Sequence, residues 1–137
     1  MALIKSLLAL LLGAFLLSAG TSHLGSNRTE FLAQVPTWLP LDPDFVVIAS
    51  GLVEITLGAL LIITALILKK YRGVIGVITA VFFILIFPGN INQYVNHLDA
   101  FGLDTDTKRF IRLLFQPPLV ALALWCSDGL RLLKKLK

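Results

Sequence analysis

One acid stands alone inside an apolar run. Between Phe45 and Leu68, 24 residues carry a single charged side chain, Glu54. At helical rise it lies roughly 13 Å past Phe45. Holding a charge in hydrocarbon costs about 2.5–3.5 kcal/mol on insertion scales, so Glu54 must be paired, protonated or turned toward a polar cavity. Its chemistry would be the giving or taking of a proton, or a bond that ties two helices. The side chains able to meet it sit near the ends of other apolar runs: His23, Asn90, and Arg112 with Gln116, which share a helix face at i, i+4. Gly51 and Gly58 fall on the face of Glu54 and would leave room beside the carboxylate. Pro117-Pro118 should free carbonyls near Leu113 and Leu114 and kink their helix, and Pro88-Gly89 should loosen another helix end. Loosened backbone at membrane depth is tolerated only where protein buries it or it lines a wet cavity. These features converge on one outward-facing polar pocket. Each also has a plainer reading. Glu54 could be a structural bond, His23 an interfacial residue, Arg112 a cation snorkelling to head groups, and Gln116 a cap on the carbonyls the prolines free. His97 reads as a solvated loop residue, and Trp38, Tyr94 and Trp125 as interfacial aromatics.

The elements that must position these groups follow from composition. The chain has 137 residues, of which 57% are hydrophobic and 15% charged, against a usual charged share of about 25%. Mean hydropathy is +0.88. A soluble domain this small needs polar residues to cover its surface, and this chain lacks them. Four apolar stretches approach the roughly 17–25 residues of a membrane helix, at about 6–23, 45–68, 73–90 and 110–129. The expectation is an all-α, membrane-spanning antiparallel four-helix bundle in a single domain, 1–137. Its rival for the first stretch is a cleaved signal ending at Ser18-Ala19-Gly20. Small residues four apart, Ala9 with Gly13, Ala14 with Ser18 and Gly76 with Ala80, are the expected packing points.

Charge sets the orientation. With both termini and the 69–72 turn cytoplasmic, the inside carries eight basic residues and the outside four. The basic residues are scattered between apolar runs, so the formal charge of +4 does not make a nucleic-acid stripe. Cys126 is the single cysteine, which removes dithiol chemistry and thiolate metal or iron–sulfur ligation. His23 and His97 both fall near the outer surface, a poor placement for a mid-membrane haem. The setting implied is the lipid bilayer of a bacterial cytoplasmic membrane, with a homo-oligomer left open.

In their order and spacing, Gly51-Leu-Val-Glu54-Ile-x-Leu-Gly58, Phe87-Pro-Gly-Asn90 and Arg112-x-x-x-Gln116-Pro117 resemble the DoxX family of small membrane proteins, as do His23 and the loop Pro36-Thr-Trp38-Leu39-Pro40. The resemblance runs from about Leu7 to Trp125 and departs at Leu24, where relatives often carry an aromatic that would wall the pocket. It implies a four-helix membrane protein and two different roles. In the first, the chain is an accessory subunit of a quinone-linked or thiol- or sulfur-related redox complex. Glu54 would then exchange a proton, Arg112 would hold its charge or polarise a quinone oxygen, His23, Asn90 and Gln116 would orient the head group, and a partner enzyme would supply electrons. In the second, it is a non-enzymatic interaction protein that acts as a chaperone, scaffold or anchor, with Trp38 and Leu39 on the partner surface.

Overall fold

A computed structural model describes residues 1–137 and is all helical. The helices are α1 (Ala2–Leu24), α2 (Arg28–Leu32), α3 (Pro43–Leu66), α4 (Arg72–Val95), α5 (Asp106–Leu114), α6 (Gln116–Cys126) and α7 (Gly129–Lys135). A single 3-10 turn, Lys69–Tyr71, joins α3 to α4. Four stretches are long and apolar enough to cross a membrane: Ala2–Leu24, Pro43–Leu66, Lys69–Val95 and Asp106–Cys126. Much of their apolar surface faces outward. Ile4, Leu7, Leu11 and Phe15 form an exposed stripe on α1, and Val74, Ile78, Val81 and Leu85 another on α4. A soluble protein could not leave such stripes uncovered; hydrocarbon covers them at no cost.

Proline sets where the helices start and bend. α3 begins with Pro43 in its first turn, where a missing N–H costs nothing, and the Asp42 side chain accepts from Phe45 N at 3.2 Å. The fourth apolar stretch is two helices joined at Phe115, with Pro117 and Pro118 in the first turn of α6. Pro117 and Pro118 have no N–H for the carbonyls of Leu113 and Leu114, so the stretch breaks there and a new helix starts, as the sequence implies. Pro88 behaves differently from the sequence expectation. α4 passes through it and continues to Val95, beyond the apolar core that ends near residue 90. The reason is local satisfaction of polar groups. Asn90, Asn92 and Gln93, all buried, bond loop backbone or side chains and hold the extra turns in place.

α1 and α3 pack side by side through two glycine crossings. A Cβ on Gly58 would lie 2.6 Å from Gly13 O, and one on Gly20 would lie 2.6 Å from Gly51 O. Rising numbers on one helix meet falling numbers on the other, so the two run antiparallel. Such contacts drive association where burial gains nothing over lipid. α4 packs on α3 and α6, and α6 closes against α1. Leu12, Leu16, Leu57, Leu61, Phe83 and Cys126 fill the core between them. At the termini end, Lys5 Nζ bonds Asp128 Oδ1 at 2.5 Å and lies 5.4 Å from the Trp125 ring centre. The buried Arg72 donates to Ser6 Oγ at 3.1 Å and to the Cys126 carbonyl.

Candidate functional site

At the opposite end, where the long connections 25–42 and 96–105 lie, the helices enclose a cavity of about 470 Å³. α3 supplies Val47, Ser50 and Glu54 from one face, at i, i+3 and i+7. α1 supplies Phe15, Ala19 and His23 at four-residue steps. Phe83, Ile86 and Asn90 come from α4, Arg112 from α5, and Gln116 and Leu119 from α6. The cavity therefore gathers His23, Glu54, Asn90, Arg112 and Gln116, together with Trp38 and Leu39 from the first connection. Gly51 and Gly58 are elsewhere. They face α1, where Gly51 packs on Gly20 and the His23 Cβ, and Gly58 on Gly13. Their lack of side chains brings α1 close rather than leaving room beside the carboxylate. Gly51 still serves the site, since it seats the backbone that carries His23.

Glu54 is 5% exposed and makes no hydrogen bond to the protein. Its Oε2 lies 3.2 Å from His23 Nδ1 but has no donor aimed at it. The reason is the geometry of α1. His23 Nδ1 sits 2.8 Å from Ala19 O, one turn back on its own helix. A bare ring nitrogen would be repelled by both oxygens, so Nδ1 carries the proton and directs it at the carbonyl. Arg112 makes no ion pair with Glu54. Its Nη1 donates to Gln116 Oε1 at 3.3 Å, and Gln116 Nε2 donates to Phe83 O at 2.6 Å. Gln116 does cap a backbone carbonyl, but one on α4, five residues before Pro88, rather than one freed by its own prolines.

The wall at the loop end is built by residues that sequence reading passed over. Phe31, from α2, stacks on His23 with ring centres 3.3 Å apart and planes 16° from parallel. Phe101 meets Phe31 edge-on at 4.7 Å. An aromatic wall therefore exists although Leu24 offers none. Phe101 holds a left-handed backbone, φ 57°, which is costly for a bulky residue. Gln93, 1% exposed, holds that connection by donating to Leu98 O and Ala100 O at 3.3 Å each. Gln34 completes the cover. Its amide donates to Gln93 Oε1 at 3.0 Å and Asn90 Oδ1 at 3.3 Å, and its carbonyl rests where a Gly89 Cβ would stand, 2.5 Å away. The Pro-Gly-Asn run of α4 is thus a seat for the first connection. A period-based reading finds none of these contacts, because each runs through an irregular connection rather than along one helix face; the polar string Asn90-Ile-Asn92-Gln93 after an apolar run is the one available signal.

His97 lies outside the cavity, exposed, with Nδ1 2.7 Å from Asp106 Oδ1. Trp38 stands at the mouth, 70% exposed. Phe15 and Leu85, the last members of the exposed stripes on α1 and α4, also line the cavity, so its apolar walls reach the lipid-facing surface.

The fold and site define a small helical protein with four helices fit to cross a membrane and an amphipathic cavity between them at one end. The chain belongs to DUF8561, a family built on a domain of unknown function, whose model matches residues 12–127. That segment includes every cavity residue named above. No curated protein and no solved structure matches the chain.

Proposed function

We propose that this chain is a DoxX-like integral membrane protein, an antiparallel four-helix bundle with both termini in the cytoplasm of a bacterial cell, that holds the head group of a quinone-class lipophile in the loop-end cavity. It would serve as an accessory subunit of a quinone-linked or thiol- or sulfur-related redox complex. The eight basic residues at the termini end, against four at the loop end, support the orientation. The observation that carries the reading is the buried Glu54 carboxylate, without a protein donor, in a cavity with apolar walls. A buried acid left without a partner costs several kcal/mol, and a fold that keeps one has a use for it.

The residues fit such a head group. Arg112 offers donors to a ring oxygen, Glu54 offers an acceptor, and Phe15, Leu85, Ile86 and Leu119 line a path for an apolar tail. A bound quinone would supply two-electron, two-proton chemistry at its ring oxygens. Glu54 would give or take one proton at a ring oxygen. Arg112 would stabilise negative charge that grows at a ring oxygen, in a site where low dielectric strengthens that interaction. The aromatic pair Phe31 and Phe101 would exclude water from the mouth. Electrons would come from a partner oxidoreductase.

A test is mass spectrometry of particles extracted from native membranes with their lipid annulus, wild type beside Ser50→Trp, which fills the cavity. Enrichment of a quinone over bulk lipid, lost in the variant, is the expected result. A stoichiometric protein partner with no enriched lipophile, indifferent to the variant, would favour the interaction reading instead. The exposure of Trp38 at the mouth supports that second reading; under it, Trp38→Ala and a Leu39 substitution disturb the complex more than Glu54→Gln does.

A further inference from the structure

We infer that the cavity selects a head group carrying both a hydrogen-bond donor and an acceptor, and so holds a quinol in preference to the matching quinone. This rests on the lipophile-binding reading above and adds a redox-state preference to it. Three placements carry it. Glu54 accepts nothing from the protein: His23 spends its Nδ1 proton on Ala19 O, and Arg112 stands apart without an ion pair. Oε2 is sealed against His23, which leaves Oε1 to the cavity. Arg112, half-buried, commits only Nη1 to Gln116 and has further guanidinium N–H groups without a protein acceptor.

With Glu54 as the carboxylate, an acceptor and a donor therefore line the cavity, and the protein joins them to nothing. Water can satisfy both at once. A lipophile that displaces water must do the same or forfeit the bonds it breaks. A quinone brings only carbonyl oxygens. It serves Arg112 but sets a lone pair against the Glu54 carboxylate. A quinol hydroxyl accepts from Arg112 and donates to Glu54. The other groups facing Glu54 do not change this balance. Of the other polar cavity residues, His23 on α1 has its Nδ1 proton already placed, and Asn90 on α4 accepts from Gln34 and keeps an Nδ2 donor that serves a ring oxygen of either form.

The experiment uses the full chain in nanodiscs of zwitterionic lipid, with decylubiquinone and its anaerobically reduced quinol as probes and dissociation constants as the readout. Wild type should bind the quinol at least about tenfold more tightly, the value of one charge-assisted hydrogen bond. Glu54→Gln presents a donor as well as an acceptor and should bring the two affinities within about twofold, chiefly by improving quinone binding. Arg112→Met should weaken both forms alike. Equal wild-type affinities, a preference for the quinone, or a Glu54→Gln protein that keeps the wild-type ratio would overturn the inference and leave the lipophile reading standing. Failure of wild type to bind either form would overturn that reading itself. Should Glu54→Gln not fold, the wild-type ratio still decides.

Discussion

The two ends of the helices solve the same problem with opposite materials. Inward of the Lys5–Asp128 and Arg72–Ser6 contacts, the termini half of the helices meets dry. Gly13 and Gly58 let backbones touch, leucines fill the gaps, and the buried threonines Thr64 and Thr79 bond carbonyls of their own helices at 2.7 and 2.8 Å. At the loop end only α1 and α3 still touch by backbone, at Gly20 and Gly51; the remaining elements meet through amides. Asn90, Asn92, Gln93 and Gln116 are all buried, and each bonds a segment far away in sequence, Gln93 by accepting from Gln34. Backbone contact brings helices too close to leave a space. Long polar side chains hold helices and connections apart at fixed distances, and the cavity is what they hold open. Cys126, buried where α6 meets the termini end, belongs to the dry half.

Substitutions can break this contrast, starting with the dry half. Gly58→Ala puts a methyl 2.6 Å from Gly13 O and 2.8 Å from Leu17 N, both backbone atoms. The helices must separate, and we expect a loss of about 2–3 kcal/mol, near the upper range for overpacking, read as reduced thermal stability in micelles. Next is Gln116→Leu, which strips the bond to Phe83 O and leaves Arg112 without its one protein partner. The expected loss is about 1–3 kcal/mol, with lipophile binding falling more than stability. Gln93→Leu should cost about 1–2 kcal/mol. Its sharper sign is faster protease cleavage within 96–105, because the left-handed turn at Phe101 loses its two anchors. The Lys5–Asp128 bond is the smallest case. Both side chains are partly exposed, and such pairs contribute at most about 1 kcal/mol. The Lys5 ammonium holds the Asp128 carboxyl below its ordinary range. The pair's contribution is therefore complete above that range and drains away as pH falls through the lowered value. The stability gap between wild type and Lys5→Met should close in acid and narrow in high salt.

The dry half was the more legible in sequence, because its signals are periodic. Apolar run lengths mark the four membrane-length stretches, and an acid inside such a run marks Glu54. The pairing of glycines was only half visible. Gly13, Gly51 and Gly58 stood out, but Gly20, which completes the second crossing, looked like part of a signal-cleavage site. In the wet half, Arg112 and Gln116 could be joined by helical spacing alone, whereas Phe31, Gln34 and Phe101 could not. They reach the cavity through connections whose course is set by the α4 amides, and no local pattern encodes that course. Pro88 misled for a related reason. A proline within an apolar run reads as an end, yet the polar residues beyond it are bonded by the connections and keep the helix going.

Glu54 lacks a protein partner and, under the proposed function, takes one from a lipophile's head group. Infrared difference spectroscopy on the full chain in nanodiscs, with and without decylubiquinol, reads that carboxyl directly. A carboxyl or carboxylate band should shift when the quinol is added, and the shift should vanish in Glu54→Gln. A Glu54 band that stays in place while the quinol is demonstrably bound would contradict the account.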